Sequence, residues 1–170
     1  KTLNSHMMKN DEWGAVAYLS KSKYGKNAEV DINDDSSYYT GGGSGNAYVN
    51  NVGQSTTGTV HGVYDMSGGA YEYVAAYVNN GNSSLSNGES LVNGDAKTKN
   101  VYSKGSSDDR DSNYSANSGK YGDAVYETSV NGNSSNSSWY GDDSYFPDTN
   151  SPFFLRGAFY GAGTSGGVFY

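Results

Sequence analysis

The first clear pattern of apolar and polar positions along the chain is helical. Over residues 7–20 the apolar side chains recur every three to four positions, which predicts a helix. Asn10 is predicted to cap its N-terminus, and the basic residues Lys21 and Lys23 suit its C-terminal end before Tyr24. The face that this helix should bury carries Trp13, Val16, Ala17 and Ser20.

Three later blocks have the patterns of strands. Between residues 71 and 75, Tyr71, Tyr73 and Ala75 alternate with Glu72 and Val74. This alternation predicts a strand within an ordered block over residues 60–78. Two apolar runs near the end of the chain, over residues 153–160 and 167–170, predict further strands.

Polar and turn-forming residues fill most of the remaining chain. Residues 27–60 are rich in turn signals, and residues 79–120 are nearly all Asn, Ser, Gly, Asp and Lys, with several Asn-Gly pairs. Because residues 79–120 lack apolar periodicity, they are predicted to be a functional loop region or partly mobile. A short ordered patch around Ala124, Val125 and Tyr126 is expected within residues 121–130.

The composition indicates that the chain is a folded domain rich in loops. The 170 residues have the size of one domain, so residues 1–170 are predicted to form a single domain. Hydrophobic residues make up 34% of the chain, and that share includes 17 Tyr. Aromatic residues at 14% and charged residues at only 17% argue against disorder, which favours the reverse balance. The core is therefore expected to be small and aromatic.

Charge and cysteine content exclude several classes of function. The net charge of −7 disfavours nucleic acid as a partner, because a nucleic-acid-binding domain needs a basic face. The absence of cysteine excludes disulfides, zinc–thiolate sites and cysteine nucleophiles. No apolar run approaches the ~20 residues that cross a bilayer, so this segment is not expected to insert into a membrane. No signal peptide is present, and any export or anchoring segment is expected outside these residues.

Three blocks of the sequence, taken in order, resemble the formylglycine-generating (sulfatase-modifying) family. MKNDEWGAVA at residues 8–17 is similar to the family's E-W-x-x-A helix. GVYDMSGGAYEY at residues 62–73 is similar to its G-L-x-D-M-x-G-N-x-W-E-W signature, and LRGAF at residues 155–159 to its R-G-G-S-W strand. The strings also resemble a non-catalytic branch of the family in prepilin-like surface proteins of Firmicutes, which residues 6–25 and 62–74 match almost residue for residue.

The resemblance implies a fold, a location and a context. The fold is an α+β, C-type-lectin-like one, with one clear N-terminal helix, a small twisted antiparallel sheet and long loops. The location is extracellular, at the cell surface. The chain is then expected to be a fragment of a longer surface protein, since the family has sequence before residue 1 and usually another strand after residue 170.

The chain departs from the family at the positions that carry chemistry. The oxidising members use cysteines to bind copper and attack the substrate, and this chain has none, so that activity is excluded. The resemblance also implies a structural calcium, held in the family by an Asn and a Glu. Glu72 is present for that role, but Gly69 replaces the Asn. Calcium is thus the one cofactor left open, with Glu72 as its ligand, and otherwise no cofactor is expected.

Two other loops have calcium-like patterns, and the sequence contains no catalytic motif. Oxygen-bearing side chains alternate over residues 31–35 and 109–113, as in calcium loops, but neither segment has the Gly and Glu that an EF-hand requires. Only two histidines occur, and no Gly-x-Ser-x-Gly turn is present for a nucleophile. We therefore expect a protein that is not an enzyme.

Aromatic residues next to carboxylates near the C-terminus are the predicted ligand-binding site. Aromatic faces can stack on a pyranose ring while Asp accepts hydrogen bonds from its hydroxyls. The predicted function is an adhesin-like recognition domain of a bacterial surface or pilin-like protein, with a glycan or a protein as ligand. The alternative is the head domain of a self-assembling extracellular filament, whose partners are its own copies. The candidate residues are Trp139, Tyr140, Asp142, Asp143, Tyr145, Phe146 and Tyr160.

Overall fold

A computed structural model describes residues 5–37, 47–121, 132–134, 136 and 138–170. Its α-helices are α1 (Asn10–Lys21), α2 (Ala47–Asn50), α3 (Glu89–Val92) and α4 (Arg110–Tyr121). Its strands are β1 (Glu72–Asn79), β2 (Asn100–Ser103), β3 (Asn133–Ser134), β4 (Ser144–Tyr145) and β5 (Phe153–Arg156). Short 3₁₀ turns occupy Val52–Gln54, Ser83–Gly88, Ala96–Thr98, Trp139–Gly141 and Tyr160–Ser165.

The sheets confirm the α+β class and correct the expected strand directions. The main sheet has three strands in the order β2-β1-β5, and β3 pairs with β4 in a second, two-stranded sheet. Strand β1 pairs with β5 in antiparallel fashion but with β2 in parallel, where Ala76 is the partner of Asn100. The main sheet is therefore mixed, and the expectation of an antiparallel sheet was wrong for β2.

The predicted N-terminal helix is present as α1, and its predicted buried face packs inward. Trp13, Ala17 and Ser20 are buried, and Val16 packs against the core. Asn10, however, is not the cap: its side chain is fully buried, donates to the Tyr102 hydroxyl at 3.1 Å and accepts from Arg156 Nε at 2.8 Å. Glu12 instead accepts the Lys9 N–H, which lowers the pKa of that carboxyl.

Strand β1 is confirmed, but it is buried continuously rather than alternately. Residues 74–78 are all buried because β1 is the middle strand and elements pack on both of its faces. Helix α1 covers one face. On the other face Phe153 packs against Gly88, and Lys99 lies 5.8 Å above the ring of Tyr77.

The polar stretch 79–120, predicted to be a functional loop region or partly mobile, contains α3, β2 and nearly all of α4. Amide side chains take the place of apolar ones on α4, whose buried residues include Asn113 and Asn117. Asn117 accepts the Ser103 N–H at 2.9 Å and donates to the Ser103 carbonyl at 2.8 Å, and Asn113 accepts the Gly105 N–H at 2.7 Å. Helix α4 therefore docks on β2 through hydrogen bonds, which a search for apolar periodicity does not detect.

The C-terminal block contains one of its two predicted strands. Strand β5 is confirmed within residues 153–160, whereas residues 167–170 form a turn. Val168 and Phe169 are buried there in the core, and their carbonyls accept hydrogen bonds from Trp13 Nε1 at 2.6 Å and Arg156 Nη1 at 3.0 Å. The expected patch at Ala124, Val125 and Tyr126 lies outside the described residues.

The hydrophobic core lies between α1 and the main sheet and extends under β4 and the C-terminal turn. No helix among the described residues is long and apolar enough to cross a membrane. The core comprises Trp13, Ala17, Val30, Met66, Val74, Ala76, Val78, Tyr102, Phe146, Phe154, Val168 and Phe169.

Candidate functional site

An open cleft of about 370 Å³ lies beside β5, where α4, β4 and the C-terminal turn converge. Tyrosine rings form much of its wall, and one arginine and one aspartate supply its charged groups. We refer to it as the aromatic cleft. Its lining residues are Tyr71, Arg110, Tyr145, Phe146, Pro147, Asp148, Ser151, Phe153, Leu155 and Tyr170.

The tyrosines of the cleft form a continuous row of ring contacts. Tyr145 lies edge-on to Tyr170 with 5.5 Å between ring centroids, and Tyr170 lies 5.7 Å from Tyr71. Tyr71 in turn contacts Phe159 at 5.3 Å. Such rings combine large apolar faces with hydroxyl groups at their rims, so the row can contact both the faces and the hydroxyls of a ligand.

A charged pair stands at one end of this row. The Arg110 guanidinium lies 4.5 Å above the Tyr145 ring, and its Nε is 3.4 Å from Asp148 Oδ2. The Tyr145 hydroxyl donates to Asp143 Oδ2 at 3.3 Å. The pair brings a donor and an acceptor to the cleft, which suits a ligand that carries hydroxyl groups.

The phenol of Tyr170 stays neutral far above physiological pH. Burial, followed by its hydrogen bond with Tyr71, raises the pKa of Tyr170 to about 12. The cleft therefore keeps an uncharged hydroxyl that can both donate and accept hydrogen bonds.

Four of the seven predicted ligand-binding residues belong to the aromatic cleft or adjoin it. Tyr145 and Phe146 line the cleft, although Phe146 is only 3% exposed and also packs in the core. Asp143 contacts the cleft through Tyr145. Tyr160 lies further along the ring row, 5.8 Å from Phe159, and its N–H donates to the Gly69 carbonyl.

The other three predicted residues lie elsewhere, around the end of α1. Lys21 Nζ is 4.5 Å from the ring centroids of both Trp139 and Tyr140, and we call this group of three residues the Lys21 corner. Trp139 also packs on Phe169 at 5.1 Å. Asp142 is 2% exposed, and its carboxylate fills the space that a side chain at Gly167 would need. The turn at Trp139–Gly141 directs these three side chains inward or toward α1, so the structure does not bring the seven predicted residues together in one place.

Sequence reasoning missed Tyr71, Arg110, Asp148 and Tyr170 as site residues. Tyr71 could have been identified from the sequence, because it belongs to the alternating pattern that predicts β1 and is an exposed residue of that pattern. Arg110 and Asp148 had none, because each is an ordinary polar residue until α4 brings the two together.

A calcium ion at Glu72 stays a prediction. Glu72 begins β1, and burial together with the charge of Asp65 raises the pKa of the Glu72 carboxyl. Within the described ranges, no group of three or more His, Cys, Asp and Glu is placed to hold a metal, whereas calcium takes six to eight oxygens. Asp31 pairs with Lys26 at 2.5 Å, and Asp109 accepts the Ser112 N–H at the start of α4, so both alternating loops use these carboxylates locally.

Comparison with models of known protein families, with curated proteins and with solved structures finds no match to this chain.

Proposed function

We propose that this domain is a non-catalytic, adhesin-like recognition module on the extracellular part of a bacterial surface or pilin-like protein. Its ligand is a glycan or a protein, and it binds in the aromatic cleft. The observation that carries the proposal is the row formed by Tyr145, Tyr170 and Tyr71 beside the Arg110–Asp148 pair. Few convergent polar groups in a largely aromatic concavity are typical of ligand sites.

The residue types of the cleft suit recognition better than chemistry. Tyrosine gives a large contact area at low cost in conformational entropy, as it does in antibody paratopes. The carboxylate of Asp148 is paired with Arg110, and the carboxylate of Asp143 accepts from the Tyr145 hydroxyl. Glycoside hydrolysis requires two carboxylates on opposite sides of a bond, so this arrangement favours binding.

We further propose a C-type-lectin-like fold of the formylglycine-generating family type. Contacts between the three family-like blocks support it. Asn10 of the first block accepts from Arg156 of the third at 2.8 Å, and the Gly68 N–H of the second donates to the Gly157 carbonyl of the third at 2.5 Å. Segments that resemble a family's motifs and also contact one another support that family better than segments that lie apart.

The filament-head function stays the second candidate, because exposed tyrosines also occur away from the cleft. Tyr18, Tyr24 and Tyr140 are 38%, 78% and 50% exposed and lie on or after α1 and at the Lys21 corner. Helix α1 packs on the sheet face that carries Arg156, whereas Tyr73 lies on the opposite face. Contacts between successive copies in a filament would use aromatic surface on two sides of the sheet.

A glycan array that includes host and bacterial protein ligands, probed with the purified domain in calcium and again in chelator, tests the proposal. The expected result is reproducible binding to a related set of ligands that chelator does not remove. Loss of binding in chelator would support a calcium site at Glu72. No binding in either condition, combined with ordered polymers in electron micrographs, would replace the recognition module with the filament head.

A further inference from the structure

We infer that the ligand of the aromatic cleft is a linear chain of neutral pyranose rings, which crosses β5 into a second groove. The inference rests on the proposed recognition function and specifies its ligand class. It follows from the shape, the lining and the charge of the two concavities.

The second groove adjoins the cleft and has a similar size, about 460 Å³. The two concavities share Ser151, Phe153 and Leu155, so the outer side chains of β5 lie between them. A ligand that fills both must be extended. A single sugar ring would occupy only one of them.

Strand register places aromatic rings along this path. Tyr73 is the register partner of Leu155, and Tyr77 is the partner of Phe153, with 6.1 Å between the rings of the latter pair. Tyr73 is 61% exposed and lines the second groove, whereas Tyr71 lines the cleft. Tyr71 immediately precedes β1 and is two residues from Tyr73, and residues two apart in an extended chain lie about 7 Å apart, somewhat more than the length of one sugar unit. Successive rings of a glycan chain can therefore stack near Tyr71 and near Tyr73.

The charges along the path favour a neutral chain. The second groove has no charged side chain among its described lining residues, and Asn87, Asn150 and Ser84 supply its polar groups. In the cleft, Arg110 is paired with Asp148, and Asp143 adds a carboxylate beside Tyr145. Because the whole chain carries a net charge of −7, a polyanionic glycan would be repelled. Amide and hydroxyl side chains match sugar hydroxyls, which both donate and accept hydrogen bonds.

An extended peptide is the less suitable occupant. Peptides that bind beside a sheet usually add a strand to its edge. The edge strand β5 spans only Phe153–Arg156, and Pro152, immediately before it, has no N–H to donate. Its last residue, Arg156, is fully buried. Short edges flanked by proline pair poorly with a further strand.

The test is calorimetry with neutral linear glycans of increasing length, using the glucose-, xylose- and mannose-based series from the single sugar to the hexamer. For at least one series, affinity should rise by about tenfold or more from dimer to hexamer, in calcium and in chelator alike. Tyr73→Ala should reduce hexamer affinity by about tenfold and leave dimer affinity unchanged, and Tyr73→Phe should restore it. Tyr145→Ala should lower the affinity for both the dimer and the hexamer. Tyr24→Ala, an exposed tyrosine outside both grooves, is the matched control.

Several results would overturn the inference. They are affinity that does not depend on chain length, a preference for acidic glycans or extended peptides over neutral glycans, or a Tyr73→Ala variant whose hexamer affinity is unchanged. Because Tyr73 is largely exposed, its variants should keep the thermal unfolding of the parent, which separates lost contacts from lost structure. Failure of every glycan and peptide to bind would instead reject the proposed function itself.

Discussion

The aromatic cleft and the Lys21 corner both use residues of the stretch 139–146, and in each a cation lies over aromatic rings. They differ in the space around those rings. The cleft has a volume of about 370 Å³, whereas the cavity beside the Lys21 corner has about 10 Å³, barely enough for one water molecule. In the cleft Arg110 is paired with Asp148, while in the corner Lys21 lies against two rings.

This difference separates two uses of the same residue types. In the corner the rings and the ammonium group contact one another, so the aromatic surface stabilises the join between α1 and the Trp139–Gly141 turn. In the cleft the rings border open space, so their faces and hydroxyls remain available to a ligand. Aromatic residues beside carboxylates thus predict a ligand site only where the fold leaves space for one.

Trp139→Ala should give the largest effect on stability. Trp139 packs on Phe169 and Tyr18, so its truncation should cost about 3 kcal/mol of unfolding free energy. Urea unfolding measures this loss, while calorimetry of the folded variant should give the parent's affinity for its glycan. A stable Trp139→Ala protein that no longer binds would show that the corner is part of the site.

Arg110→Gln should weaken glycan binding and leave stability nearly unchanged, which is the opposite of the effect of Trp139→Ala. It removes the donor that Asp148 and the cleft share, and it should weaken glycan binding by about tenfold. The unfolding free energy should change by less than about 1 kcal/mol, because the pair is partly exposed. Lys104→Gln is a suitable control, since Lys104 also lies near a carboxylate, that of Asp108, but outside the cleft. Equal affinities for all three proteins would remove Arg110 from the site.

Lys21→Gln should have a smaller effect, confined to stability. The loss of its contacts with Trp139 and Tyr140 should cost about 1 kcal/mol. Lys23→Gln, which removes a cation beside the exposed ring of Tyr24 alone, should cost less. Thermal unfolding of the two variants measures the difference. An unchanged transition for Lys21→Gln would mean that the corner does not stabilise the join.

The alkaline dependence of binding should be the subtlest effect. Since the folded-state pKa of Tyr170 is raised to about 12 from an ordinary value of about 10, folding favours its neutral form. Its contribution to stability is therefore complete below about pH 10 and is lost as pH rises toward 12. Glycan affinity should stay level up to about pH 11 and decline as the pH rises through about 12, and Tyr170→Phe should flatten that decline. A decline of the same size in Tyr170→Phe would assign it to another group.

The parts of the fold that were predicted are those that apolar patterns describe. Trp13 and Ala17 mark the buried face of α1, and the run from Phe153 marks β5. Helix α4 was not predicted because it docks through Asn113 and Asn117, and asparagine is a residue typical of loops. The cleft was predicted only at Tyr145, Phe146 and the residues next to them. Its other half depends on contacts between distant segments, such as Arg110 with Asp148, which no local pattern encodes.

Nuclear magnetic resonance of the tyrosine rings tests the central claim most directly, with the neutral linear hexamers titrated into the ring-labelled domain. We predict that the ring signals of Tyr71, Tyr145 and Tyr170 shift with a saturating dependence on ligand, while those of Tyr18 and Tyr140 do not. Shifts confined to Tyr18 and Tyr140, or no shift at any ring for any hexamer, would contradict the assignment of the aromatic cleft as the ligand site.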